Sequence, residues 1–184
     1  MKKIGTVFLG IILSGFLYAQ TDTAVLLKEV MVTATRNSQS SLLSPYSVSK
    51  LSLQGIDQFQ SRTTPEALIG NAGVFVQKTN HGGGSPFVRS LTGNQNLLMI
   101  DGIRLNNATY RYGPNQYFNT IDLFSVGSIE VARGTGSVQY GSDAMGGVIQ
   151  VFTEDPGFSK KSSWSGNIIG RILGNDAEYS GRAE

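Results

Sequence analysis

A tight turn at Asp101-Gly102, set between two apolar runs, is the feature that most limits how this chain can fold. Residues 97–100 precede the turn and residues 103–105 follow it. A type I′ turn requires positive φ at both central residues, and Asp-Gly is one of the few dipeptides that adopts it readily. The pattern therefore predicts an antiparallel hairpin with directly paired strands.

Further short apolar segments between glycine-rich turns predict an α+β domain over residues 45–155. Strands are expected in four segments of alternating or branched apolar side chains: 47–51, 74–77, 128–134 and 148–152. Thr64 as N-cap, Pro65 at the first helical position and Gly70 as terminator predict a short helix. Residues 137–145 are expected to hold a helical turn. The chain has 23 Gly and only 5 Pro, which favours tight turns over a proline-rich linker.

The first residues, 1–19, predict an export signal that is removed from the mature chain. Lys2 and Lys3 precede an apolar run at 4–17, and cleavage is expected after Ala19. The run is shorter than the roughly 20 residues that a spanning helix needs, so a membrane anchor is the less favoured alternative. The chain has no Cys, so neither a lipoprotein anchor nor a disulfide is predicted.

The charge balance does not indicate nucleic-acid binding. The chain carries 15 basic and 13 acidic residues, with a sequence pI of about 8.9. Lys2 and Lys3 account for the whole excess of positive charge. Because the signal carries that excess, no nucleic-acid partner is expected.

Two further regions flank the domain. Residues 20–44 are polar and rich in Ser and Thr, which predicts a flexible tail. Within it, residues 29–34 form one strand-prone segment with no evident partner strand nearby. At the other end, residues 163–173 and 177–184 are strand-like and enclose a turn at 174–176. This pattern is typical of a barrel hairpin, and its open edge leads us to expect that the chain is a fragment.

Three ordered sets of motifs lie behind the export signal. The first is LKEVMVTATR at residues 27–36. The second combines FVRS at 87–90 with LLMIDGIRLN at 97–106, and is similar to "IRG … VLIDGVPLN". The third combines residues 129–134 with 137–149, and is similar to "IEVLRGP.S.LYGS.AIGGVINI". Together they resemble the coupling segment and plug domain of TonB-dependent outer-membrane receptors.

The resemblance covers residues 27–153 and implies a receptor fold. It departs from the family pattern at Ser90, where Gly is usual, and at Thr135, where Pro is usual. The implied architecture is a plug, a small mixed β-sheet with short helices, inside a transmembrane β-barrel that this chain begins but does not complete. The expected divisions are a signal at 1–19, a tail with a TonB-box-like segment at 20–44, the plug at 45–155 and the start of the barrel at 156–184.

The implied function is energy-coupled import rather than catalysis. The resemblance implies a receptor that sits in the outer membrane and takes haem, a ferric siderophore or cobalamin into the periplasm, with the energy transmitted through TonB. The expected partners are the C-terminal domain of TonB and the receptor's own barrel. The alternatives are a stand-alone exported ligand-binding plug module without a barrel, and an exported enzyme. The enzyme is disfavoured because no Ser-His-Asp set is arguable.

Two groups of residues carry the coupling and the contact with the barrel. An extended peptide can add to an exposed sheet edge of TonB by main-chain hydrogen bonds, and six consecutive residues are expected to do so: Glu29, Val30, Met31, Val32, Thr33 and Ala34. The alternative is a first strand in the plug's own sheet. Arg89 and Arg133 match the two plug arginines that pair with barrel carboxylates, the alternative being ordinary surface arginines.

The ligand-facing loops are expected to contain His81, Tyr110, Arg111, Tyr112 and Tyr117. The tyrosines offer flat stacking surface and hydrogen bonds. The glycine-rich segment at 81–86 is expected to be a loop, but it lacks the Gly-Lys-Ser/Thr of a phosphate-binding loop. A single His does not make a metal site, so neither a metal nor another resident cofactor is predicted. Within the family, the glycine-rich and Asn-Asn-Ala-Thr-Tyr-Arg phrases are most similar to haem-uptake receptors.

Overall fold

The computed structural model describes residues 30–31, 37, 39–40, 44–80, 83–106, 113, 117–155, 162, 166, 168–173 and 178–183. In chain order the strands are β1 (Val30–Met31), β2 (Gln39–Ser40), β3 (Ser47–Ser52), β4 (Val74–Asn80), β5 (Gly83–Val88), β6 (Asn96–Ile100), β7 (Ile103–Arg104), β8 (Val126–Arg133), β9 (Gly147–Thr153), β10 (Ile168–Leu173) and β11 (Glu178–Ala183). The α-helices are α1 (Leu53–Gln58) and α2 (Ser137–Tyr140), and the 3-10 helices are Glu66–Leu68, Gly93–Gln95, Tyr117–Thr120 and Leu123–Ser125. Short strands and short helices thus confirm the α+β class.

A five-stranded mixed sheet with strand order β3-β8-β9-β6-β7 organises residues 45–155, which we call the central domain. β9 runs parallel to β6 and antiparallel to β8. β3 and β7 run antiparallel to their neighbours, β8 and β6. The strands predicted at 47–51, 128–134 and 148–152 are confirmed, with ends that move by one or two residues.

The sheet carries an apolar cluster on each face, because successive side chains of a strand point to opposite sides. On β8, Ile129 and Val131 belong to the larger cluster and Ala132 to the smaller one. Leu68 and Phe118, both fully buried, join the larger cluster from two of the 3-10 helices. The short helices are therefore held by the main core of the central domain.

The Asp-Gly hairpin is confirmed. Ile100 lies opposite Ile103, and φ is 46° at Asp101 and 83° at Gly102. The Asp101 carboxylate also accepts hydrogen bonds from the Thr153 backbone N–H at 2.9 Å and the Thr153 hydroxyl at 2.8 Å. Asp101 therefore stabilises the end of β9 as well as the turn, a role that the turn pattern does not reveal.

The loop prediction for residues 81–86 is wrong for residues 83–86, which begin β5. β5 pairs antiparallel with β4, and Pro86 lies opposite Val76. The proline is tolerated because each strand of a two-stranded ribbon has a free edge. Gly84 serves close packing, since a Cβ added there would lie 3.2 Å from a Val76 methyl carbon.

The helix predicted after Thr64 is only one 3-10 turn, Glu66–Leu68, and Thr64 is not its cap. The Thr64 hydroxyl donates instead to the Ile121 carbonyl at 2.7 Å, which joins two segments of the core. Gly70 follows the turn with φ of 88°, in agreement with its predicted role as terminator. The competing tertiary hydrogen bond explains why the capping pattern was misleading.

Glu66, the first residue of the 3-10 turn, connects the turn to the chain before it and to β4. Its carboxylate accepts the Arg62 backbone N–H at 2.7 Å and a Lys78 ammonium hydrogen bond at 2.8 Å. Burial acts to raise the pKa of Glu66, but the hydrogen bonds from Lys78 and Arg62 and the charge of Lys78 lower it overall. The charged carboxylate is therefore the form that the fold favours.

Helix α1 is not indicated by the sequence pattern. It has six residues, contains Gly55 and buries only Ile56, so its apolar periodicity is too short to detect. The predicted helical turn within residues 137–145 is confirmed by α2. In the part of the chain that the structure describes, no helix is long and apolar enough to cross a bilayer.

The hairpin expected at the end of the chain is confirmed by the antiparallel pairing of β10 with β11. One face of this hairpin carries Ile168, Ile172 and Tyr179, which are 85%, 76% and 76% exposed. On the opposite face of β10, Arg171 is partly buried and contacts the central domain. The hairpin thus has one exposed apolar face and one face turned to the domain.

The strand-prone segment of the tail is described only at Val30–Met31. This β1 pairs antiparallel with Gln39–Ser40, so a short partner strand does exist within the tail. The five-stranded sheet does not include β1. Val30 and Met31 therefore do not form a first strand of that sheet, which was the alternative to a coupling segment.

Candidate functional site

Arg133, at the end of β8, connects three segments of the central domain. Its Nε donates to Ser47 Oγ at 3.2 Å, and its Nη1 donates to Ser49 Oγ and Asn71 Oδ1, both at 3.3 Å. Nη1 also donates to the Ala72 carbonyl. The guanidinium therefore links β8 both to the beginning of β3 and to the turn before β4.

Arg89 follows β5 and lies beside Arg133. Its backbone N–H donates to the Gly73 carbonyl at 3.3 Å. Two glycines with positive φ make room for the guanidiniums. A Cβ at Gly73 would lie 3.0 Å from Arg133 Cδ, and a Cβ at Gly134 would lie 3.3 Å from Arg89 Nη1. The structure thus brings the two arginines that the motifs single out to one place.

This cation pair has no carboxylate partner within the described residues. The ion pairs in this part of the chain join Lys50 with Glu130, Lys78 with Glu66, and Arg104 with Asp143. Burial lowers the pKa of Arg133, and the neighbouring charge of Arg89 lowers it further. Two neighbouring cations without a carboxylate partner among the described residues form a site that an anionic group would stabilise.

An aromatic pair adjoins the cation pair on the same surface. The rings of Phe75 and Phe87 meet edge to face, with centroids 5.8 Å apart at 63°. Phe75 remains 65% exposed. A shallow groove runs from this pair to Arg89 and Ser90. Exposed aromatic rings beside unpaired guanidiniums are typical of a surface that another element covers.

Ser90 has φ of 67°, a conformation that costs an L-residue about 1–2 kcal/mol relative to Gly. Ser90→Gly is therefore expected to stabilise the central domain by about 0.5–1 kcal/mol, after the greater freedom of Gly in the unfolded chain is included. The urea midpoint of unfolding measures the change. Ser128→Gly, on strand β8 where φ is not positive, should have the opposite sign. A lower midpoint for Ser90→Gly would contradict the assignment of strain.

Most of the expected ligand-facing residues lie outside the described residues: His81, Tyr110, Arg111 and Tyr112. Tyr117 is described. It begins the 3-10 helix Tyr117–Thr120 and is 39% exposed, while the next residue, Phe118, is fully buried. Of the expected TonB-binding residues, Glu29, Val32, Thr33 and Ala34 also lie outside, and only the backbone pairing of Val30 and Met31 is described. The ligand and TonB contacts therefore remain predictions.

The described residues contain no group of three or more His, Cys, Asp or Glu side chains that could hold a metal ion. His81 is not among the described residues. The surface around Arg89 and Phe75 offers positive charge and aromatic contact.

Two polar features escape the sequence analysis. Glu130 is buried in the sheet, opposite Lys50 and Gln150 on the neighbouring strands. The Lys50 Nζ lies 3.8 Å from the Glu130 Oε1. Arg171 reaches from β10 to the central domain. A single Arg within the apolar run Ile-Ile-Gly-Arg-Ile-Leu was the available signal for the second feature.

Comparison with known proteins extends the motif resemblance. A family model described as TonB-dependent Receptor Plug Domain matches residues 41–148. The chain is 34% identical over 178 residues to the vitamin B12 transporter BtuB of Vibrio cholerae serotype O1, covering 95% of this chain and 28% of that protein. It is 32% identical over 151 residues to BtuB of Vibrio vulnificus strain CMCP6, covering 81% of this chain and 23% of that protein. The chain spans about a quarter of the length of these curated relatives.

Solved structures show the same fold. The ferripyoverdine receptor FpvA of P. aeruginosa superposes with a TM-score of 0.59 at 20% identity, over 69% of this chain and 16% of the receptor. The alcaligin receptor FauA of Bordetella pertussis superposes with a TM-score of 0.54 at 23% identity, over 70% of this chain and 22% of the receptor. At such identities the likeness concerns the fold alone.

Proposed function

The chain belongs to the TonB-dependent receptor plug family, and we propose that it is the front part of an outer-membrane receptor that imports a scarce nutrient into the periplasm. The central domain is the plug, and β10 and β11 are the first strands of the surrounding barrel wall. Cobalamin is the first ligand to test, because the curated relatives named above are vitamin B12 transporters. Ferric siderophores and haem are the other ligand classes.

The observation that carries this proposal is the two-faced hairpin after the plug. Its outer face presents Ile168, Ile172 and Tyr179 to solvent, and its inner face directs Arg171 to the plug. An apolar outer face is what a strand needs when lipid lies on that side, and the polar pair Arg171 and Ser180 suits the opposite side, which faces the lumen. The same exposed apolar face disfavours a stand-alone soluble plug module.

The surface formed by Arg89, Arg133 and the Phe75–Phe87 pair supports a plug that is enclosed by a wall. Two neighbouring guanidiniums that have no carboxylate partner among the described residues would be stabilised by carboxylates, and the remaining wall strands would supply them. Such ion pairs hold the plug in place but still allow it to leave. When an ion pair separates, water solvates both charges, so the free-energy cost of separation is smaller than for a packed apolar contact.

The proposed coupling site is the segment 29–34 in the tail. Val30 and Met31 already show extended, paired backbone, and a strand of this kind can instead add to a sheet edge of TonB. Ligand binding on the outer side and TonB binding on the periplasmic side would then act on one plug. This arrangement is expected to give transport that depends on the energised inner membrane.

Complementation with the full-length receptor tests the proposal. It is expressed in an outer-membrane strain that lacks its own cobalamin receptor and depends on external cobalamin for growth. Growth at nanomolar cobalamin in the presence of TonB, but not in its absence, is the expected result. If neither cobalamin, a ferric siderophore nor haem is taken up, the proposal of nutrient import is wrong.

A further inference from the structure

Arg171, on strand β10, contacts two separate segments of the central domain. Its Nη1 donates a hydrogen bond to the Ser61 carbonyl. Its guanidinium carbon also lies 5.0 Å from the centroid of the Phe124 ring. Ser61 follows helix α1, whereas Phe124 lies in the 3-10 helix Leu123–Ser125, so one side chain contacts two segments that are distant in the sequence.

The segments that hold these two contact points are joined by a buried hydrogen bond. The Thr64 hydroxyl is bonded to the Ile121 carbonyl in the buried interior, three residues from each of the two contact points. Ser61 is 2% exposed and Ile121 is 7% exposed. Arg171 therefore contacts two segments, at Ser61 and at Phe124, that the core already joins. We call this part of the plug the Ser61–Phe124 corner.

The boundary around Arg171 is loosely packed. A cavity of about 550 Å³ lies between the plug and β10, and Asp57, Glu154 and Gln60 contribute polar groups to its lining. No ion pair joins Arg171 to either carboxylate among the described residues. Among the described contacts across this boundary, the hydrogen bond to Ser61 and the cation–π contact with Phe124 both come from Arg171.

The partners of Arg171 are neutral, a backbone carbonyl and an aromatic ring. A carbonyl and an aromatic face both attract a guanidinium, yet neither changes charge with pH. Lys would keep the charge but lose the flat face that stacks on the ring. The contact is therefore specific for Arg and does not depend on the protonation of a carboxylate.

We propose that Arg171 is a positioning residue, a latch on the barrel wall that holds the Ser61–Phe124 corner of the plug and keeps the lumen closed at this side. The inference rests on the proposed function, because it takes β10 as a wall strand. It goes beyond that function by naming a wall-side arginine that grips neutral plug groups. Loss of the latch opens a gap beside the plug while the rest of the plug stays in place.

The test uses the full-length receptor in cells and measures two properties in the same strains. The first is ligand uptake, and the second is sensitivity to a glycopeptide antibiotic that is too large for ordinary porins. Arg171→Met should raise antibiotic sensitivity about tenfold, as expected for the loss of a charge-assisted hydrogen bond. Phe124→Leu should produce a smaller increase, and Arg171→Lys an intermediate one. Ile168→Met, on the outward face of the same strand, is the matched control and should behave as wild type.

A double variant separates a latch from a general loss of stability. If Arg171 and Phe124 act through each other, the double variant Arg171→Met with Phe124→Leu should be no more sensitive to the antibiotic than Arg171→Met alone. The single variant Phe124→Tyr keeps the aromatic ring and should therefore be as resistant as wild type. Additive effects of the two substitutions, or wild-type sensitivity of Arg171→Met at equal receptor abundance, would overturn the proposal. Failure of the wild-type receptor to take up any ligand would instead contradict the proposed function, so the two failures are distinguishable.

Discussion

Gly147→Ala is expected to destabilise the plug by about 3 kcal/mol, because the new methyl group has no space and its neighbours cannot move. A Cβ at this position would lie 2.6 Å from the Ala132 carbonyl oxygen and 2.9 Å from a Val88 methyl carbon. The first of these atoms belongs to the backbone of β8, the neighbouring strand in the sheet. Relief of the clash would require β9 to separate from β8 at the point where it begins.

The damage should extend to the cation pair. Gly147 lies opposite Arg133 in the pairing of β8 with β9, so a shift of β9 displaces the guanidinium that links β3 to the turn before β4. Amide hydrogen exchange of β6, β8 and β9 in the purified receptor measures the effect. A loss of about 3 kcal/mol corresponds to roughly 100-fold faster exchange.

Gly170→Ala provides the matched control for this prediction. Gly170 lies in a strand, and a Cβ added there would meet nothing within 4 Å, so exchange in the plug should stay within a factor of two or three of wild type. Unchanged exchange in Gly147→Ala would show that the two strands can separate slightly without loss of stability, and the steric account would be wrong.

Sequence reasoning identified the elements that local chemistry decides. The Asp101-Gly102 turn was predictable because positive φ at two successive residues is a property of the dipeptide itself. The strands of the central sheet were predictable from their apolar patterns, and only their ends moved. Where a distant segment competes for a group, the local pattern fails, as at Thr64, whose hydroxyl bonds to Ile121 instead of capping a helix.

The glycine-rich segment at 83–86 shows that a local sequence pattern also fails where packing against another strand decides the structure. Gly84 reads as a loop residue when only its neighbours in the sequence are considered. In the structure it lies in β5, where its missing side chain leaves room for Val76 of the paired strand. A requirement that another strand imposes is not visible from one segment alone.

The candidate site was predictable in its residues but not in its arrangement. The motif resemblance selected Arg89 and Arg133, yet it gave no indication that they are neighbours or that Arg133 binds Ser47, Ser49 and Asn71. The contact of Arg171 with Phe124 is likewise a product of tertiary folding. Residues that meet only through the fold cannot be paired from one sequence without an alignment.

Val32→Pro is expected to abolish energy-coupled uptake while leaving ligand binding intact. Proline lacks the backbone N–H that an added strand donates to its partner's sheet, and it restricts φ at the same residue. Val32 follows directly after β1, whose extended backbone is described at Val30 and Met31. The ligand would bind on the opposite side of the plug, so its affinity should not change.

The measurement combines uptake of labelled ligand by cells with binding of the purified receptor to the C-terminal domain of TonB. The variant should lose uptake completely and bind TonB at least tenfold more weakly, as expected for the loss of one or more main-chain hydrogen bonds. Thr23→Pro places the same substitution in the tail but outside residues 29–34, and it should retain both activities.

The two variants together decide what the tail segment does. If Val32→Pro imports ligand normally, residues 29–34 are not the coupling strand, and another part of the tail must contact TonB. If Thr23→Pro fails as well, stiffening of the tail rather than loss of a specific hydrogen bond explains the defect. Only loss of uptake in Val32→Pro with normal uptake in Thr23→Pro assigns the coupling to main-chain pairing at this segment, because the two substitutions differ only in the backbone donor that they remove.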